Sequence, residues 1–267
     1  MDKKTKYLAI LAIAVIAVAV LAYMDFSAPQ SSLSFNAQIG QQVPQSIVSQ
    51  LNIPSSVSNR IVEGSASTGL PNAPIIYNIN ASPLKNGTKP EILYIGAEFC
   101  PYCAVSRWGM IIALLRFGSF SNLHYMASNS TDVYPNTPTF TFYNSTYQSD
   151  YISFVSVETA TRSYQNLQKL TDSQNNIFAA YNPGGGIPFI DFANLSVEAG
   201  ALVTPGVIQG YSWNETISNL TNTNSSVSQA LVGAADIYTT EICRITNMTP
   251  ESVCSQPYVV KMLKILG

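Results

Sequence analysis

The chain has 267 residues and a formal net charge of -2, with 46% hydrophobic and only 10% charged residues. That length and apolar content suffice for a sizeable core. No basic run occurs beyond the N-terminus, so the Lys/Arg footprint that phosphate binding needs is missing, which excludes a nucleic-acid partner.

Residues 1–6 carry Lys3, Lys4 and Lys6, and residues 7–24 form an uninterrupted run of 18 uncharged, mostly aliphatic residues. As a helix this run would be roughly 27 Å long, close to the hydrocarbon thickness of a bilayer. The next positive charge is Arg60. The charge asymmetry predicts a single-pass cell-membrane protein with a cytoplasmic N-terminus and an extracytoplasmic main domain. A cleaved signal peptide is the competing reading. The length of the run favours the anchor, as does Met24-Asp25-Phe26 where a small-x-small cleavage site would stand. Nine Asn-x-Ser/Thr sequons, at Asn80, Asn86, Asn129, Asn144, Asn194, Asn214, Asn219, Asn224 and Asn247, fit a glycosylated exported protein.

Residues 25–73, rich in Ser, Gln and Asn with Pro29, Pro44 and Pro54, read as a linker or stalk. Short amphipathic helices are expected within it over 45–51 and 55–62. The main domain then covers residues 74–267. Residues 74–79 predict a first strand, 85–88 a turn, and 91–97 a second, fully buried strand. Cys100-Pro101-Tyr102-Cys103 follows and opens an apolar helix reaching to about Phe117. Strand patterns recur over 123–128, 139–143 and 151–157, and 163–181 carries a looser helical pattern. Gly184-Gly185-Gly186 leads into Ile187-Pro188-Phe189-Ile190, a strand with proline at its start. Residues 201–208 predict a last strand, and 213–267 a helical C-terminal part. No strand precedes the three glycines and no helix follows them, so they do not form a phosphate loop. His124 lies in a strand pattern and reads as structural.

Two thiols spaced by two residues at a strand-to-helix junction can close an exchangeable disulfide. The helix N-terminus stabilises the thiolate of the first. The same spacing could hold half a zinc site or a purely structural bridge. Zinc needs a second pair, and Cys243 and Cys254 stand 11 apart, beyond the spacing of a zinc knuckle. Their position in an exported C-terminal helical region favours a structural disulfide, worth about 3 kcal/mol in the chain-entropy model. A second redox pair relaying electrons from Cys103 is the alternative.

Gly96-Ala97-Glu98-Phe99-Cys100-Pro101-Tyr102-Cys103 resembles the active-site segment of the thioredoxin superfamily, with the Pro-Tyr dipeptide of glutaredoxins and of some periplasmic disulfide isomerases. Residues 186–192 resemble its second signature, a cis-proline that opens a strand. The whole pattern is also similar to a group of membrane-anchored archaeal proteins of unknown function. The resemblance implies an α/β, thioredoxin-like fold with a central mixed sheet flanked by helices, preceded here by the transmembrane helix. The 85 positions between Cys103 and Pro188 are about twice the spacing in small members, which places an insertion at about 118–162. Tyr94 stands where thioredoxins carry a buried acid.

By the same resemblance, Cys100 is the exposed nucleophile and Cys103 the buried resolving thiol. Pro101 and Tyr102 tune the pair, and Ile187 and Pro188 face the sulfurs. Phe99, Tyr102 and Trp108 supply an apolar docking surface. The expected function is a membrane-anchored thiol–disulfide oxidoreductase, an oxidase or isomerase of exported cysteine-containing proteins, with no cofactor and no metal. A membrane redox partner would close its electron path. The alternative is a non-enzymatic cell-surface module in which the CxxC is a staple.

Overall fold

The structure, a computed structural model, describes residues 34–64, 76–79 and 81–266. The chain divides into two compact units, residues 1–37 and 38–267, and almost all described residues belong to the second.

The second unit is built on a six-stranded mixed sheet. Its centre is β3 (Lys89–Gly96), whose apolar residues Ile92, Leu93, Tyr94 and Ile95 are fully buried. A strand hydrophobic on successive residues must be covered on both faces. Parallel β8 (Ser153–Glu158) flanks it on one side and antiparallel β9 (Phe189–Phe192) on the other. Beyond β9 come β10 (Ser196–Ala199) and β1 (Ile76–Asn78), both antiparallel, while β2 (Lys85–Asn86) forms a hairpin with the start of β3.

One face of the sheet, with Leu93, Ile95, Val157, Phe189 and Val197, packs against Ile177 and Phe178 of α4 (Asp172–Tyr181). The opposite face meets α3 (Pro101–Leu115) and α6 (Ser226–Ile245), the two most extensively packed helices. Gly109 permits their close approach: a Cβ there would stand 3.1 Å from the Tyr238 ring and 3.2 Å from Ala234.

Several expectations are corrected. The stretch taken as a stalk contains α1 (Gln45–Gln50) and α2 (Ser55–Gly64), and α2 packs on α6 and on α8 (Pro257–Leu266) through buried Val57 and Ile61. Ser58 of α2 donates to Asp236 at 2.7 Å. These helices therefore belong to the domain. The insertion is shorter than expected, because β8 is a member of the central sheet. What remains forms two separate antiparallel pairs. One joins β4 (Gly118–Ser121) to β7 (Thr146–Ser149), the other β5 (His124–Ala127) to β6 (Pro138–Thr141). Residues 201–208 do not make a strand: Pro205 and Gly206 open a 3-10 turn, Pro205–Ile208. The fold expectation is also corrected in its membrane part. The anchor predicted over 7–24 lies outside the described residues, and among those described no helix is long and apolar enough to cross a membrane. The fold stands as a mixed α/β arrangement, a mixed sheet with helices on both faces.

The C-terminal part is helical, with α5 (Trp213–Asn219), α6, α7 (Glu251–Cys254) and α8. A Cys243–Cys254 disulfide ties α6 to α7, and both cysteines are fully buried.

Glu198 on β10 lies between sheet and α6. It accepts a hydrogen bond from the Tyr238 hydroxyl at 3.0 Å, while its Oε2 has no partner. Burial pushes its pKa from 4.5 to about 8. The native state thus prefers the protonated acid, and its contribution is complete below the unfolded value and lost as pH rises toward 8. Relative to Glu198→Gln, the wild-type chain should lose roughly 2 kcal/mol between pH 5 and pH 7, measured by urea denaturation. Parallel pH profiles for the two proteins would contradict this assignment.

Candidate active site around Cys100 and Cys103

The local sequence dictates the CxxC geometry. Cys100 is extended and N-caps α3, and Pro101 takes the first helical position, where its fixed φ suits a helix and its missing N–H costs nothing. Cys103 then falls inside the first turn, and its backbone N–H donates to Cys100 Sγ at 3.1 Å. Both cysteines are free thiols. On the far side of the sulfur, the Ile187–Pro188 peptide is cis and the Cys100 thiol donates to the Ile187 carbonyl at 3.7 Å. The two segments singled out in the sequence, 87 positions apart at these residues, therefore meet at one sulfur.

The two thiols differ electrostatically. The hydrogen bond from the Cys103 thiol holds Cys100 below the ordinary thiol value. Burial opposes this, while the Cys103 backbone N–H and the charge of Arg107 assist. Burial pushes Cys103 well above that value, the hydrogen bond to Cys100 adding to it. A low-pKa first thiol and a high-pKa second one form the asymmetric pair that attack and later resolution require.

The predicted rim is only partly present. Tyr102 is exposed and meets the Tyr134 ring edge-on, and half-buried Phe99 packs on Tyr164, with ring centroids 4.4 Å apart. Trp108 does not contribute to a surface. It is fully buried, donates to the Pro138 carbonyl at 2.8 Å and packs on Phe140, so its docking role is corrected to a core role. Cys100 is likewise only 5% exposed, so the exposed position expected for it is corrected to a nearly buried one. Pro101 and Pro188 are buried, and Ile187 is half-buried.

Beneath the pair lies a charged cluster absent from the sequence-based site. Arg107, one turn beyond Cys103, is completely buried and grips Glu158 at the end of β8 with two hydrogen bonds, Nε to Oε1 at 2.9 Å and Nη2 to Oε2 at 2.7 Å. Nη2 also donates to the Ala97 carbonyl at 2.7 Å. Burial opposes the charge on Arg107, but Glu158 outweighs it and keeps the guanidinium protonated. Glu98, raised by burial, accepts from Thr141 at 2.8 Å. Tyr94 arches over Gly96, where its hydroxyl leaves no room for a Cβ, and the Arg107 guanidinium lies 5.9 Å from the Tyr94 ring centre. A lone arginine in an otherwise apolar helix was the available sequence signal for this cluster.

The remaining candidates lie elsewhere. Among the described residues no group of His, Cys, Asp and Glu is placed to hold a metal ion. Asn86, Asn144, Asn214, Asn224 and Asn247 are exposed, whereas the side-chain amides of Asn129, Asn194 and Asn219 donate to backbone carbonyls. Asn80 lies outside the described residues. An open cavity of about 610 Å³, lined in part by Lys85, Asp150, Asn194 and Arg244, includes neither Cys100 nor Cys103.

Residues 75–244 match the sequence model of a family described as Domain of unknown function (DUF929). The chain belongs to that family. No curated protein and no solved structure matches it. The matched span contains β3, the CxxC, Arg107, Glu158 and the Ile187–Pro188 turn, and ends after Cys243.

Proposed function

We propose that the chain is a thiol–disulfide oxidoreductase acting through Cys100 and Cys103. The observation that carries this reading is the position of Cys100 Sγ, at a helix N-terminus, accepting from the Cys103 N–H and lying beside the Ile187 carbonyl. Its two signature segments resemble those of the thioredoxin superfamily, which supports the same chemistry.

In the reducing direction, the Cys100 thiolate attacks one sulfur of a client disulfide. The client S–S bond breaks, one client thiolate leaves and takes a proton from water, and a Cys100–client disulfide forms. Cys103 loses its proton to water and attacks Cys100 Sγ. The second client thiolate departs and the Cys100–Cys103 disulfide closes, so the client gains two electrons and the pair loses two. The reverse sequence oxidises a client dithiol, and the potential of the pair relative to its partners sets the direction.

The clients are exported proteins bearing cysteines, with a membrane partner exchanging electrons with the pair. The Cys243–Cys254 bridge supports an oxidising, extracytoplasmic setting, where structural disulfides persist. The test is turnover of a glutathione mixed disulfide by the full-length chain in detergent. Turnover that requires Cys100 is expected. A rate at background would sink the enzyme reading.

A further inference from the structure

We infer that Arg107 is a positioning residue for this exchange: a fixed cation under the CxxC turn that holds the turn through the Ala97 carbonyl and stabilises the thiolate state of the pair. The inference rests on the reading of Cys100 and Cys103 as an exchanging pair.

The geometry has three parts. Arg107 stands four positions after Cys103, so both project from the same face of α3. The Ala97 carbonyl accepts from Arg107 Nη2 at 2.7 Å and from the Cys100 N–H at 3.3 Å, so the guanidinium and the nucleophile's backbone share one anchor. Arg107 Nη1 is buried with no hydrogen-bond partner, although Nε and Nη2 are both satisfied. An orphaned donor on a buried cation costs free energy unless an anion forms beside it. On this inference the Cys103 thiolate, formed only during resolution at a sulfur that feels the Arg107 charge, is that anion. The charge of Arg107 acts on both sulfurs in the thiolate-favouring sense.

Glu158 sets the opposing influence. Its carboxylate keeps Arg107 charged and in place, and as an anion it also disfavours a nearby thiolate. A purely structural pair would behave differently, because damage to either partner would loosen the turn in the same sense. A positioning cation predicts opposite signs for the two substitutions.

The experiment measures iodoacetamide alkylation of Cys100 in the reduced full-length chain at pH 6, where the thiolate fraction limits the rate, with peptide mass spectrometry to assign the site. Tyr94, Glu98, Glu158, Cys103 and Tyr164 are the other titratable groups acting on the cluster, and all are retained in the Arg107 variants. Arg107→Met should slow alkylation by about tenfold, because loss of the cation lowers the thiolate fraction of Cys100. Arg107→Lys should recover most of the rate by restoring the charge without the fork. Glu158→Gln should raise the rate above wild type. If Arg107→Met does not fold, the Lys and Gln variants still decide the matter. Rates within twofold of wild type in every folded variant, or slowing in both Arg107→Lys and Glu158→Gln, would overturn the inference. Alkylation needs no client, so a chain that fails to turn over glutathione disulfide but shows this pattern would defeat the enzyme reading alone.

Discussion

Cys103→Ser should accumulate covalent adducts with cysteine-bearing exported proteins, while Cys100→Ser should form none and lose exchange completely. The reason lies in the division of labour at the N-terminus of α3. Cys100 has the lowered pKa and is the sulfur beside the Ile187 carbonyl, so in the proposed mechanism it would make the first bond to a client. Cys103 is fully buried with a raised pKa, so in the proposed mechanism it would meet no client directly and would act only to displace one from Cys100. Removing it leaves the first step intact and blocks the second, so the intermediate persists. Non-reducing gels of the full-length variants, followed by mass spectrometry, read the outcome. Equal trapping by both serine variants would show that the reactive sulfur has been misassigned.

Asp236→Asn is expected to destabilise the fold by about 3 kcal/mol, the cost of stranding one member of a buried ion pair. Asp236 on α6 receives Arg116 Nη1 at 2.9 Å and the Ser58 hydroxyl at 2.7 Å, and its side chain has no exposure. Arg116, at the C-terminal end of α3, also donates to Thr239 at 2.6 Å and to Ser58 at 2.9 Å, and lies over the Tyr258 ring of α8 at 5.0 Å. The Asp236–Arg116 pair therefore ties together α2, α3, α6 and α8. Burial pushes its pKa up while Arg116 pulls it back. Urea denaturation of the single variant and of Asp236→Leu with Arg116→Met separates the cases. The double variant should regain most of the loss, because apolar packing can replace a buried ion pair. A single-variant loss below about 1 kcal/mol, the range of exposed pairs, would show that this pair is solvated.

The parts of this protein legible in the sequence are those where local pattern and tertiary demand agree. Ile92 to Ile95 form a run that only a doubly covered strand can accommodate, and Cys100-Pro101 marks a helix start by its cap and its proline. Ile187-Pro188 opens β9 and sits against Cys100.

Where the reading failed, long-range packing decided the outcome. Trp108 is on a helix buried on nearly all sides, so no amphipathic stripe distinguished a core tryptophan from a surface one. The stalk reading of the segment carrying α2 rested on its Ser, Asn and Pro content. Yet Val57 and Ile61 make one buried face, which α6 and α8 cover. The start of α4 has a local signal that the looser helical pattern over 163–181 obscures: Thr171 and Gln174 form a reciprocal capping box, which begins the helix at Asp172 rather than near Ser163. The Arg107–Glu158 pair joins residues 51 positions apart, which no spacing rule connects.

The most direct test of the central claim is a redox titration of the full-length chain in glutathione buffers, with Cys100 and Cys103 quantified by differential alkylation and mass spectrometry. An exchanging pair should interconvert reversibly between dithiol and disulfide with the domain folded throughout, while Cys243–Cys254 stays oxidised. A Cys100–Cys103 bond that resists reduction until the domain unfolds, or a pair that never closes, would contradict the account.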